Sequence, residues 1–256
     1  MRIVRHIIAA AAIAAPAASA ASAEPLRICY EEWSPFASAA NGRAAGLMIE
    51  LVDRALAAAG RSAAYSQQPY LRCVGNVRSG AFDAILMSSD EAGLVPAGVS
   101  VAFWEVGVIA RPDWPAAGLG SLRDLDGATV GLVGAYEYHP AIRAAAAGWR
   151  VHHGTDALFN LRMTASARID ATVADIPWAR IEAAREHLPI RVLEPTLLAI
   201  PQYVYFHPDR AQAAAELGSA LRVLLDDGTV DRVYRRATGS SFGDVGARAA
   251  TALIRD

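Results

Sequence analysis

The chain contains no lysine. All 24 basic residues are arginine, set against 26 acidic ones, and the net charge is −2. No basic field exists of the kind that nucleic-acid binding requires. The missing lysine, together with abundant alanine, reflects GC-rich coding bias more than chemistry. After the N-terminal segment no stretch is long and apolar enough to span a bilayer. No cysteine follows the cleavage region described below, which argues against a lipid-attached N-terminus. No G-x-S-x-G elbow occurs and no histidine sits in a triad context, so hydrolase chemistry has no support. Metal-ligand spacing is also lacking, since His152 and His153 would alternate in direction on a strand. No cofactor motif appears.

What is present begins with a leader, residues 1–23. Arg2 and Arg5 form a positive n-region, Ile7 to Ala15 a short apolar core, and Ala18-Ser19-Ala20 and Ala21-Ser22-Ala23 two A-x-A cleavage sites. This predicts export, with cleavage near Ala20 or Ala23. At 54% hydrophobic content, 256 residues can bury one large core or two smaller ones. In an exported chain the two cysteines, Cys29 and Cys73, suggest a disulfide; two buried thiols are the alternative.

Strands and helices alternate. Leu26 to Tyr30 reads as a first strand, followed by the loop Glu31 to Phe36. Ala45 to Ala59 forms an amphipathic helix ended by Gly60. Tyr70 to Val77 forms a short helix closed at Ser79-Gly80. Asp83 to Met87 is a buried parallel strand ending in Ser88 and Ser89, where open α/β sheets place ligands. Phe103 to Ala110 is another strand, and the Pro and Gly residues after it mark a crossing between domains. A second series follows: a strand at 128–133 with Gly134 to Tyr136 at a helix start, a strand at 151–153 with Thr155 capping the next helix, a strand at 169–174 ending at Asp175, and a helix from Pro177. Ala199 to Phe206 reads as a return strand, and helices over 209–226 and 230–237 follow it. The pattern predicts an α/β fold with mostly parallel sheets and two similar lobes with a cleft between them.

The order and spacing of LRICYEEWSPF, RSGAFDAILMSS, GATVGLVGA, ASARIDATVAD and ALRVLLDDGTVDRVYRRATG resemble the bacterial periplasmic solute-binding proteins of the polar amino-acid type, which have the type II periplasmic-binding fold. The resemblance covers nearly all of residues 26–238. It implies two Rossmann-like lobes joined by hinge strands near 106–111 and 200–206. Lobe one would comprise 24–110 and 205–256, and lobe two 111–204. It further implies a monomer that encloses a small polar solute and hands it to a transporter permease. Carried over by position, Trp33 with its neighbour Glu32 falls where an aromatic packs on the ligand. Ser88 and Ser89 hold it from lobe one, Gly134 and Tyr136 offer the lobe-two turn, and Asp175 pairs with an ammonium.

The family's carboxylate-clamping arginine after the two serines is absent; Asp90 to Pro96 stands there instead. Arg72 is the candidate replacement, or it pairs with an acid on its own lobe. Without it the site is acidic and aromatic (Glu31, Glu32, Trp33, Glu91, Asp175) and suits an amine. Trp33 alternatively fills a lobe surface, and Asp175 alternatively caps the helix entered at Pro177. Two rival functions remain: an accessory protein docking on a periplasmic dehydrogenase or other protein, and a dehydratase using Glu91 or Asp175.

Overall fold

The computed structural model describes residues 24–134 and 136–254; the leader and its cleavage sites lie outside the described residues. The first half runs β1 (Leu26–Tyr30), β2 (Ser38–Ala40), β3 (Arg43–Ala45), α1 (Leu47–Ala58), β4 (Ala63–Gln67), α2 (Tyr70–Arg78), β5 (Ala84–Ser88), β6 (Val95–Pro96) and β7 (Ala102–Ala110). The second runs β8 (Thr129–Val133), α3 (Pro140–Ala145), β9 (Arg150–Gly154), α4 (Ala157–Ala165), β10 (Ala171–Asp175), α5 (Ile176–Glu186) and β11 (Arg191–Phe206). Helices α6 (Ala211–Asp226), α7 (Thr229–Thr238) and α8 (Phe242–Ala250) follow.

Two parallel groups, β4-β1-β5 and β10-β8-β9, form the halves of the main sheet. Between them β7 and β11 run antiparallel to each other, β11 pairing with β5 and β7 with β10. The predicted α/β architecture, two lobes joined by two strands, is the one observed. One core gathers Ile28, Phe36, Leu51, Leu86, Val204, Phe206 and Tyr234, the other Val108, Leu125, Val130, Val173, Leu193 and Leu197. β7 changes cores between Ala102 and Val106, and β11 between Leu198 and Val204. The crossing on β7 thus begins before the 106–111 segment.

Local chemistry explains most elements. In α1, Leu47, Leu51 and Ala55 repeat at i, i+4 with Met48, Val52 and Leu56 beside them, and all are buried. Gly46 precedes α1 at φ 122°, where a Cβ would meet the Phe36 carbonyl oxygen, so the entry turn requires glycine. Three details differ from the sequence reading. The helix expected at Gly134 to Tyr136 begins instead at Pro140, with the His139 side chain accepting from Ala141 N–H. Proline fixes φ at N1 and disfavours helix in the residue before it, which moves the start downstream. The cap of α4 is Asp156, not Thr155: its Oδ1 accepts from Phe159 N–H at 2.7 Å. β11 starts eight residues before Ala199, interrupted by a register shift between Leu193 and Leu198.

Cys29 on β1 and Cys73 on α2 are joined in a disulfide, with Cα atoms 5.7 Å apart and 44 residues of separation. Both are fully buried against Val74, Val77 and Ile85. Closing a loop of that length stabilises the fold by roughly 4 kcal/mol in the chain-entropy account. The double variant Cys29→Ala/Cys73→Ala is therefore expected to unfold about 10 °C below the parent by calorimetry.

Candidate functional site

The first-lobe side is built at the carboxyl end of β5. Met87 takes φ 64°, a left-handed conformation that costs a non-glycine residue on the order of 1 kcal/mol. It precedes Ser88, which is 2% exposed. The Ser88 hydroxyl lies 2.8 Å from the Tyr70 hydroxyl. Tyr70 donates a short hydrogen bond to Glu91, whose other oxygen accepts from Arg78 Nη2 at 3.0 Å. Burial, reinforced by Glu91, pushes the Tyr70 phenol up to about 12. Where the resemblance calls for a cation, this lobe presents a nearly buried carboxylate neutralised from outside by Arg78. Ser89 is exposed, and its carbonyl accepts from the Tyr205 hydroxyl at 2.9 Å.

Arg72 lies in the first turn of α2, exposed, and among the described residues no hydrogen bond or ion pair engages its side chain. It does not pair with an acid on its own lobe. Glu31 accepts from Tyr70 N–H at 3.3 Å and Glu32 from Ala39 N–H at 3.1 Å. Glu32 is thus committed to the start of the β2-β3 hairpin.

Trp33 sits in a tight loop: its N–H donates to Ala37 O, and its own carbonyl accepts from Phe36 and Ala37. Its ring packs on Phe36 at 5.1 Å and edge-on to Trp104 of β7 at 6.3 Å. From there the first-lobe indole acts on Asp175, at the end of β10 in the second lobe. Asp175 does two things at once. Its Oδ1 caps α5 by accepting from Trp178 N–H at 2.8 Å, and its Oδ2 is buried with no hydrogen-bond partner. The residue keeps some exposure elsewhere, but that oxygen is shut off from water. Burial pushes the carboxyl up to about 7, the Trp178 N–H opposes this, the charge of Glu105 adds to it, and the nearby Trp33 indole favours the carboxylate.

On the other side of β10, Gly134 and Tyr136 lie on the turn after β8 rather than at a helix start. Val133 N–H is already taken by the Tyr138 hydroxyl at 2.8 Å, so this turn offers less to an anion than a helix N-terminus would. Tyr136 is 59% exposed. Its phenol is raised by burial of part of the ring and then by the charges of Asp156 and Glu31.

The structure thus brings Trp33 and Asp175 together. It turns Glu32 elsewhere and leaves Arg72 unengaged. Sequence reasoning missed Tyr70, Arg78 and Glu105 as shapers of the site. Glu105 alone carried a signal, a charged residue inside the apolar strand AFWEVGVIA. A separate groove of about 650 Å³ between α1 and α7, lined by Glu50, Asp53, Arg54, Val233 and Arg236 among others, shares no residue with this set.

No protein-family model matches the chain, and no curated protein matches it. Solved structures do. A probable amino-acid ABC transporter extracellular-binding protein of Bacillus subtilis superposes with TM-score 0.73 at 13% identity, over 84% of this chain and 98% of that one. The L-cystine solute receptor of Neisseria gonorrhoeae, in its unliganded open conformation, gives 0.69 at 15%, over 85% and 94%. A histidine kinase sensor domain similar to periplasmic binding proteins gives 0.66 at 18%, over 85% and 97%. The chain has the type II periplasmic-binding fold that these proteins share.

The Asp175 carboxyl has a pH signature. Its folded value, about 7, lies above the unfolded one, which is close to 3.9. The folded chain therefore holds a proton that the unfolded chain has released. The resulting stabilisation is fully present below about pH 4 and is lost as pH rises through about 7. Asp175→Asn is expected to flatten the dependence of the unfolding midpoint between pH 5 and 8. At pH 8 it should melt above the parent by on the order of 5 °C, read by differential scanning fluorimetry.

Proposed function

We propose that the protein is a non-enzymatic periplasmic solute-binding protein. It captures a small polar solute, an amino acid or a related amine or zwitterion, between its lobes and delivers it to an ABC-type transporter. The observation that carries this reading is Asp175 Oδ2, a buried carboxylate oxygen without a partner, faced by the Trp33 indole of the opposite lobe. A buried acceptor that no hydrogen bond of ordinary geometry reaches is costly; the Trp33 indole gives the carboxylate partial support, and a ligand ammonium placed there would supply a full donor and the missing charge. Trp33 and Trp104 would offer aromatic faces to the same cation. Two of the structural relatives are an extracellular-binding protein of a probable amino-acid transporter and a cystine receptor, which supports solute capture. No helix among the described residues is long and apolar enough to cross a membrane; the proposed protein is an exported monomer that works beside its permease.

The site favours the positive end of the solute. Glu91 lies in the segment where the resemblance expects a carboxylate clamp, and Arg72, exposed on α2, would be the cation to meet an acidic group. The ligand ammonium and Asp175 would pair in their charged forms, so binding is expected to weaken as pH falls below about 7 and the Asp175 carboxyl takes up its proton.

The test is a thermal-shift screen of the mature protein against amino acids, polyamines, betaines and small organic acids. A ligand held at 100 times its Kd stabilises the fold by about 2.7 kcal/mol, or roughly 5–10 °C for a chain of this size. The shift is expected for amines or zwitterions and should vanish in Trp33→Ala and in Asp175→Ala. A zwitterion whose shift also vanishes in Arg72→Ala assigns the carboxylate to Arg72. No shift with any compound overturns the reading and turns the search to protein partners.

A further inference from the structure

The tail beyond α7 does not stay with the first lobe. Phe242, at the start of α8, packs on Phe103 of β7 with ring centroids 4.9 Å apart, and Val245 is fully buried in the first core. One turn on, Arg248 reaches Glu105, whose oxygens accept from Nε at 2.6 Å and Nη2 at 3.0 Å. Glu105 is 1% exposed and lies where β7 passes from one core to the other. Its charge is tolerable there only with a bidentate partner. The chain then continues to the second core, where Leu253 and Ile254 pack. Their N–H groups donate to Thr196 O at 3.0 Å and Leu197 O at 2.8 Å. Those carbonyls fall inside the register shift between Leu193 and Leu198, where β11 leaves its ladder with β7. The break in β11 pairing is shared between Gly118-Leu119, which meet Glu194, and the tail, which meets Thr196 and Leu197.

We propose that the segment Phe242 to Ile254 is a strap: it grips the first core at one end, the crossing strands in the middle and the second core at the other, and so limits how far the two lobes swing. Hinge motion is absorbed by a few residues of the crossing strands. A third connection over those strands, held by a buried ion pair and two backbone hydrogen bonds, restrains that change.

Amide exchange of the parent is the first arm. The Leu253 and Ile254 amides are expected to exchange as slowly as those of Val106 and Val108; exchange at the rate of a frayed terminus overturns the strap. The second arm measures the lobes directly, by electron–electron double resonance between spin labels at Arg222→Cys on α6 and Arg143→Cys on α3, both exposed. Non-reducing conditions keep the native disulfide intact. Removing residues 253–256 is expected to broaden the distance distribution and shift it to longer values. Glu105→Leu/Arg248→Met, which removes the central tie but keeps the apolar volume, is expected to do the same and serves if the truncated chain does not fold. A distribution unchanged in the folded variants, with only a lowered melting temperature, shows the tail to be a stabilising appendage and overturns the proposal.

Discussion

The antiparallel ladder between β7 and β11 is the constraint on which everything else rests. Each parallel group can extend only through crossovers that return on its own face. Neither group can join the other except through strands that belong to both. The ladder runs from Ala110 against Arg191 to Ala102 against Gln202, with one interruption. Along it the side chains change allegiance from the second core to the first. Everything that meets between the lobes meets beside it. Trp104 gives Trp33 an edge to pack on, Val106 sets the level of Asp175 on β10, and Glu105 draws α8 across the junction.

The electrostatics of the site follow from which carboxylates have found a cation. Glu105 has Arg248 and Glu91 has Arg78, and both are satisfied within the fold. Asp175 has neither; it spends one oxygen on the helix it starts and keeps the other in reserve. A carboxylate in that condition responds to whatever enters, because the cost of its burial has already been met by the fold and a visiting donor removes it.

Much of this was legible from residue order, and the limits are physical. Short apolar runs bounded by small polar residues, such as AILMSS and ATVAD, identified the strands and the sheet end that Ser88 and Asp175 occupy. Asp175 was readable both as a cap and as a ligand partner; one oxygen makes the cap, and the other is the one the proposed ligand would meet. The β2-β3 hairpin was not read, because Ser38 to Ala45 is too rich in alanine to show alternation. The first half of β11 was hidden by Glu194-Pro195, which interrupts a strand pattern although the chain resumes its pairing. The strap was invisible because its meaning lies in contacts 143 residues apart, between Arg248 and Glu105. Likewise nothing in PYLRC announces that the Tyr70 hydroxyl will occupy Ser88. That depends on how α2 is seated on the sheet.

The seating of α2 is itself covalent. The helix that carries Tyr70 and Arg72 is bolted to β1 through Cys73 and Cys29, and Tyr70 is one turn from the bolt. Without that bond the helix would be seated by noncovalent contacts alone, among them the packing of Val74 and Val77 with Ile85. The position of the wall that carries Tyr70 and Arg72 is thus tied to the oxidation of two thiols as well as to packing.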